Sequence, residues 1–97
     1  MYRIFLHLNK TGNGFFALRV GSATVGRIDV NISGDELMLV DTDATDNRML
    51  KSITQRLMHK IVEYARMNEL RIVSMSNYIL SQVNNNASFN ANVWKRA

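Results

Sequence analysis

Three absences restrict what this sequence of 97 residues can encode. It contains no cysteine, which excludes disulfide bonds and thiolate metal sites and favours a reducing compartment. It contains no proline, which is typical of a compact domain whose turns rely on glycine and asparagine. No run of about 18 apolar residues occurs, and the first residues are too polar for a signal peptide. We therefore expect a soluble cytoplasmic protein with a single domain over residues 1–97.

Metal-binding patterns are also missing. The two histidines, His7 and His59, are far apart and have no carboxylate at metal-ligand spacing. Asp41, Asp43 and Asp46 form an acidic cluster, but a calcium-type loop needs more oxygen ligands and a glycine at its turn. We predict no metal site and interpret the three aspartates as solvated loop residues.

Charge is present but unevenly distributed, with a net value of +4. Residues 1–34 have four basic side chains and one acidic one; residues 35–46 have five acidic ones; residues 47–97 have eight basic and two acidic ones. A basic surface indicates an anionic partner, nucleic acid or a phosphate-bearing cofactor, but also fits a surface that binds neither. We expect no nucleic-acid partner, because such proteins have denser basic clusters. That expectation would change if one sheet face held Arg3, Arg19, Arg27 and Arg71.

The first half of the chain has the pattern of four strands. Apolar alternation and turn residues predict them at residues 2–8, 15–20, 23–32 and 36–41. Turns this short favour an antiparallel meander. We place the larger aromatic residues in the core and not on a surface that stacks nucleobases: Phe15, Phe16, Tyr64 and Trp94.

From residue 49 the apolar residues recur with a helical period of 3.6. The stripe consists of Leu50, Ile53, Leu57, Ile61, Tyr64 and Ala65. Thr45 or Asp46 is predicted to cap this helix and Asn68 to end it. Residues 70–75 predict a fifth strand, parallel to the fourth, and residues 76–83 a short second helix. The predicted fold class is α+β: a mainly antiparallel sheet of five strands, a long helix between strands 4 and 5, and a short helix after strand 5.

Two basic residues, Arg48 and Lys51, lie at the predicted start of the long helix. Positive charge there is unfavourable by about 0.3–1 kcal/mol each, because the helix N-terminus is itself partially positive. An anion bound to the free backbone N–H groups would explain both residues. Surface ion pairs with Asp43 and Asp46 are the alternative explanation.

Two segments around this helix start carry a family motif. Residues 40–44 read Val-Asp-Thr-Asp-Ala, and residues 46–57 keep an apolar pair at Ile53 and Leu57. They resemble the His-Thr-x-Val strand end and the P-x-x-R-G-x-G-[IL]-[GA]-x-x-L loop of the small single-domain GNAT acetyltransferases. Asp41 stands at the usual histidine.

The following segment extends the resemblance. Residues 70–78 are similar to the family's L-K-I-x-P-x-C-S-Y, with Tyr78 kept and Ser76 in place of cysteine. The match spans residues 40–93. The phosphate-binding loop is degenerate, because side chains replace its three glycines, at Leu50, Ser52 and Thr54, and narrow the approach of the backbone to a pyrophosphate.

The resemblance implies an acetyl-CoA-dependent N-acetyltransferase acting on an unidentified amine. It implies a cofactor site formed by Val40, Asp41, Thr42, Ala44, Arg48, Leu50, Lys51, Ser52, Ile53 and Thr54. It also implies that Ser76 and Tyr78 face the acyl end, with Tyr78 protonating the leaving thiolate. The alternatives are a GNAT-like binding or interaction module that has lost catalysis and, third, a small basic nucleic-acid-binding domain. No membrane partner is expected, and a monomer is our expectation for the oligomeric state.

Overall fold

Short turns fold the first half of the chain into an antiparallel meander in the computed structural model, which describes residues 2–74. Its strands are β1 (Tyr2–Leu8), β2 (Asn13–Val20), β3 (Ala23–Ser33) and β4 (Glu36–Ala44). Gly21 and Gly34 close the β2–β3 and β3–β4 turns with φ angles of 61° and 60°. Glycine adopts such angles without strain, and the four strands pair antiparallel in chain order, which confirms the predicted meander.

The second half of the described chain crosses over the sheet. A 3-10 turn at Asn47–Met49 leads into α1 (Leu50–Met67), and β5 (Arg71–Ser74) follows. β5 pairs in parallel with β4, as predicted, so the sheet is mixed and its strand order is β1-β2-β3-β4-β5. Asn68 ends α1, as predicted, by donating from its backbone N–H and its side-chain amide to the Tyr64 carbonyl. The predicted short helix after β5 lies outside the described residues.

The core lies between α1 and one face of the sheet. Its buried apolar side chains come from β2 to β5, from α1 and from the turn before β5: Phe16, Leu18, Ile28, Val30, Leu37, Leu39, Ile53, Leu57, Met58, Ile61, Val62, Ala65, Leu70 and Ile72. Tyr64 packs edge-on against Phe16, with 5.6 Å between ring centroids. The core placement of Phe15 is wrong: it alternates with Phe16 along β2 and faces away from α1. Trp94 lies outside the described residues.

A β-bulge divides β4 into two halves. The β3–β4 register shifts by one residue at Val40, which is the extra residue of the bulge. Before it, Leu37 and Leu39 are buried against α1. Beyond it, Thr42 and Ala44 take the side of α1, because the inserted residue reverses the alternation of side chains.

This bulge explains why β4 is longer than predicted. We predicted its end at Asp41, but the strand continues to Ala44. Asp41 and Asp43 therefore lie in a strand and not in a loop, and both are exposed on the face away from α1.

The start of α1 packs closely on β3 at Gly26. A Cβ atom at Gly26 would lie only 2.5 Å from Cγ2 of Ile53, so the helix approaches the strand where glycine leaves room. Gly26 pairs with Ala44, the last residue of β4. This contact places the first turn of α1 beside the C-terminal end of β4. No helix among the described residues is long and apolar enough to cross a membrane.

Candidate functional site

Beyond its bulge, β4 turns two backbone N–H groups away from β3. The N–H of Thr42 donates to the Asp41 carboxylate and the N–H of Ala44 donates to the Asp43 carboxylate, both over 2.9 Å. Because these two N–H groups bind carboxylates, they are not part of the ladder with β3. They point outward from the opposite edge of β4. Further back along β4, that edge pairs with β5, and the described ladder ends at the Leu39–Ser74 pair, just before the bulge.

The helix beside this edge begins without a side-chain cap. Met49 occupies the N-cap position and makes no capping hydrogen bond, and the first turn has no acidic residue. α1 continues the 3-10 turn Asn47–Met49, whose i→i+3 pattern takes up the N–H of Leu50, so the N–H groups of Lys51 and Ser52 are the ones that come before the first bond of α1. The end of α1 therefore presents uncapped donors and a partial positive charge.

Asp46 caps the preceding turn instead of α1 and binds Arg48 at three points. Its Oδ1 accepts the backbone N–H of Arg48 at 2.9 Å and lies 3.2 Å from Nε, and its Oδ2 lies 3.0 Å from Nη2. The side-chain hydrogen bonds, and after them the backbone one, hold the pKa of Asp46 below its ordinary value. For Arg48, the surface ion pair proposed as the alternative explanation is confirmed.

Lys51 is the other basic residue of this region. Among residues 2–74 it forms no ion pair, and it is exposed, as is Ser52, while Leu50 is half-buried. The first turn of α1 thus offers one cation that no described carboxylate neutralises.

Ile53 and Thr54 face the sheet and not the solvent. Ile53 is 2 % exposed and Thr54 is 0 % exposed, and the N–H groups of both belong to the hydrogen-bonded part of the helix. Thr54 Oγ1 is buried and has no hydrogen-bond partner in the described part of the chain. A buried polar group without a partner costs about 1–3 kcal/mol, so this hydroxyl is a weak point in the helix start.

The structure brings the predicted cofactor residues into one region and leaves the predicted catalytic pair undescribed. All ten cofactor residues lie at the end of β4, in the 3-10 turn or at the start of α1, whereas Ser76 and Tyr78 lie outside the described residues. Asp43 and Asp46 were not among the predicted site residues, yet both bind groups of the site. For Asp46 the signal was its position two residues before Arg48, which suits an Asx-type turn. No three metal-ligating side chains converge within residues 2–74.

Comparison with known proteins identifies the architecture. The NMR solution structure of a GCN5-like candidate N-acetyltransferase from Staphylococcus aureus matches this chain with a TM-score of 0.68. The match covers 96 % of this chain and 89 % of that one, at 16 % sequence identity. No protein-family model matches the sequence, and no curated protein matches it significantly. The likeness establishes the fold alone, which is the GNAT-type α+β fold that the sequence motifs predicted.

Proposed function

We propose that this chain, a GNAT-type fold, binds acetyl-CoA where β4 ends and α1 begins, and transfers the acetyl group to an amine. One observation carries the proposal: the uncapped N-terminus of α1 lies beside a strand edge that presents two outward-facing N–H groups. An anion-binding helix end next to strand donors that only exposed aspartates now hold suits a ligand with phosphates at one end and amides along an arm.

The phosphate end of the ligand would lie at the start of α1. The N–H groups of Lys51 and Ser52 would be the donors there, whatever side chains replace the glycines of the family's loop. Lys51 adds a cation that no described carboxylate neutralises. Arg48 would help only after leaving Asp46, so Lys51 is the main basic side chain of the proposed site.

The pantetheine arm would pair with β4 beyond the bulge. The backbone N–H groups of Thr42 and Ala44 would be the donors. Each would first have to lose its hydrogen bond to the carboxylate of the preceding aspartate. Both aspartates are exposed, so water can solvate their carboxylates once they rotate away. The exchange replaces a local hydrogen bond by one to the ligand, which keeps its cost modest.

The reacting end rests on the resemblance. Acetyl-CoA would supply an acetyl group activated as a thioester, which an amine attacks directly. Tyr78 would hold the proton that the departing sulfur takes up, and Ser76 would lie near the acyl group, as the resemblance implies. The residues that bind the amine are not assigned.

A second candidate function is a GNAT-like module that binds a partner without catalysis. The observation that favours it is the occupied state of the site: Asp41 and Asp43 hold the strand donors, and Asp46 holds Arg48. In such a module these bonds would be permanent features of the fold, and the site would not open for a cofactor.

Titration of acetyl-CoA into ¹⁵N-labelled protein tests the first function. We expect saturable amide shifts concentrated at residues 42–44 and 50–54. Lys51→Gln should weaken binding, whereas Lys60→Gln, an identical charge change more than two turns further along α1, should leave it unchanged. Dephospho-CoA and free acetate serve as ligand controls for the contribution of the phosphates.

Release of free thiol in the presence of a panel of amines then tests catalysis. Shifts together with amine-dependent thiol release would support the transferase. Shifts without release would support the non-catalytic module. If millimolar acetyl-CoA shifts no amide at the end of β4 or the start of α1, the proposed cofactor site is wrong.

A further inference from the structure

The face of the sheet that α1 does not cover, here called the distal face, collects the arginines of the strands. Arg3 of β1 pairs directly with Arg19 of β2, and Arg27 of β3 pairs with Ala17, two residues from Arg19 on the same side. Arg71 of β5 reaches the same face through its pairing with Glu36 of β4. All four arginines therefore share one face, because directly paired residues point to the same side of a sheet.

Charge on this face is unbalanced at the β1–β2 hairpin. Residues 2–20 contain three basic side chains and no acidic one. Arg3 and Arg19 are direct cross-strand neighbours, an arrangement that is unfavourable for like charges, and neither forms an ion pair within residues 2–74. Arg27, by contrast, is paired with Asp29 at 3.2 Å. The hairpin is therefore the part of the distal face that would gain most from an anion.

Aromatic rings lie between these arginines. Phe5 and Phe15 meet edge to face with their centroids 6.2 Å apart, and His7 stacks on Phe15 at 5.4 Å. The guanidinium of Arg19 lies over Phe5 at 5.8 Å and that of Arg27 over Phe15 at 5.1 Å, both within cation–π range. These rings do not belong to the core, since they point away from α1.

The contacts fix the guanidinium groups before any ligand arrives. Arg19 is held by Phe5 and also donates from Nη2 to the Ser22 carbonyl at 3.0 Å. A planar guanidinium held in this way loses less freedom when it binds a phosphate. Beside it, Arg3, Phe5, Arg19 and the Gly21 turn line an open depression of about 450 Å³, within the size range of small-ligand sites.

We propose that the hairpin half of the distal face binds single-stranded nucleic acid. Arg3 and Arg19 would contact phosphates, and Phe5, with the stacked His7–Phe15 pair, would contact unpaired bases. Alternation of cations and rings on a sheet matches this ligand, because each nucleotide brings one phosphate and one aromatic base. A duplex would hide its bases from the rings, and an acidic peptide would satisfy the arginines but leave the rings without a partner.

This surface is separate from the proposed acetyl-CoA site. Thr42, Ala44 and the start of α1 lie on the other face of the sheet, and β4 is separated from β1 by β2 and β3. The two proposals rest on different residues, so either can fail without the other.

Fluorescence anisotropy with labelled twelve-residue oligo(dT) and oligo(U) tests the proposal. The key variant is Arg3→Gln/Arg19→Gln, and Lys60→Gln/Arg66→Gln on α1 is its control with the same change of charge. We expect the hairpin variant to lose at least about tenfold in affinity at low salt and the control to lose less than twofold. The dependence of log K on log salt should also become shallower by about 0.7 for each phosphate contact removed.

Phe5→Ile separates base stacking from charge, because isoleucine suits a strand but offers no aromatic face. It should weaken binding of the oligonucleotide at least about fivefold and binding of base-free polyphosphate distinctly less, because for polyphosphate only the contact that holds Arg19 is lost. Thermal unfolding of each variant checks that it is folded.

Results of three kinds would overturn the proposal. The first is an absence of binding at low salt, and the second is an equal loss in both charge-matched variants. The third is undiminished oligonucleotide binding by Phe5→Ile, or equally tight binding of polyphosphate or poly-Glu, which would assign the face to polyanions or acidic proteins in general.

Discussion

The close contact between Gly26 and Ile53 fixes where α1 begins, and one added methyl group tests it. In Gly26→Ala the new Cβ would lie 2.5 Å from Ile53 Cγ2, about 1–1.5 Å inside an ordinary carbon–carbon contact of about 3.5–4.0 Å. The backbone oxygen of Asp43 lies 3.1 Å away on another side, so the methyl group has little room to move. Ile53 Cγ2 is attached to the β-carbon and cannot swing aside without moving the helix backbone or changing rotamer.

Two opposing terms set the magnitude. Overpacking of a core costs about 1–3 kcal/mol. Replacing glycine by alanine returns about 0.4–1 kcal/mol by restricting the unfolded chain. The midpoints of these two ranges, about 2 and about 0.7 kcal/mol, leave an expected loss of about 1.3 kcal/mol in the free energy of unfolding of Gly26→Ala, and each kcal/mol corresponds to about 4–8 °C in Tm for a domain of this size.

A double-mutant cycle identifies the contact responsible. Ile53→Leu removes the β-branch methyl, so Gly26→Ala should cost less in that background, with a coupling of about 1 kcal/mol measured by thermal or urea unfolding. The displacement of α1 by the added methyl group should also weaken the binding of acetyl-CoA at the proposed site. If Gly26→Ala is as stable as the parent, or if its cost is the same with Leu at position 53, the packing argument is refuted.

Three further predictions concern single side chains of the candidate site. Thr54→Val should raise Tm, because it removes a buried hydroxyl that lacks a described partner. Thr54→Ser keeps the hydroxyl and should lower Tm. A higher Tm for Thr54→Ser than for Thr54→Val would show that the hydroxyl is hydrogen-bonded. Asp46 has a lowered folded pKa, so its stabilising effect is present above the unfolded pKa and is lost as the pH falls through the folded one. Asp46→Asn should therefore flatten the decline of Tm below about pH 4, and parallel Tm profiles for variant and parent would contradict this. In acetyl-CoA titrations followed by calorimetry, Lys51→Gln should weaken binding more than Arg48→Gln, because Asp46 already neutralises Arg48. Equal losses of affinity in the two variants would mean that Arg48 leaves Asp46 to bind the ligand.

Regular patterns made most of the fold predictable. β1 was predicted with its observed bounds, and the helical stripe from Leu50 to Ala65 predicted the body of α1, although the predicted cap at Thr45 or Asp46 lies before the observed N-cap, Met49. The parallel pairing of β4 and β5 followed from the helix between them. Each of these predictions depends on a period repeated over many residues, so single exceptions do not change it.

Local irregularities made the rest unpredictable. Asp41-Thr42-Asp43 has the composition of a loop. The bulge at Val40 lets these residues continue β4 with both aspartates exposed, and such a bulge has no sequence signature. Phe15 and Phe16 are identical side chains in adjacent positions, so composition alone cannot tell which one faces α1. The sequence offered two explanations for the basic residues at the helix start, a bound anion and surface ion pairs. It could not decide between them, because the Arg48–Asp46 pair depends on the geometry of one turn.

The bulge at Val40 gives β4 one residue more than β3 uses over the same length. A variant lacking Val40 would place Asp41 directly after Leu39 and keep the observed pairs, so Asp41 and Asp43 would stay on the exposed side and Thr42 and Ala44 on the side of α1. The arrangement that turns the two aspartates toward the core is the opposite one, in which Val40 stays and pairs regularly with Asp29. We therefore expect descendants of this sequence to lose this residue without exchanging the two sides of the strand, whereas its regular pairing would bury two carboxylates and is the change that selection has to prevent.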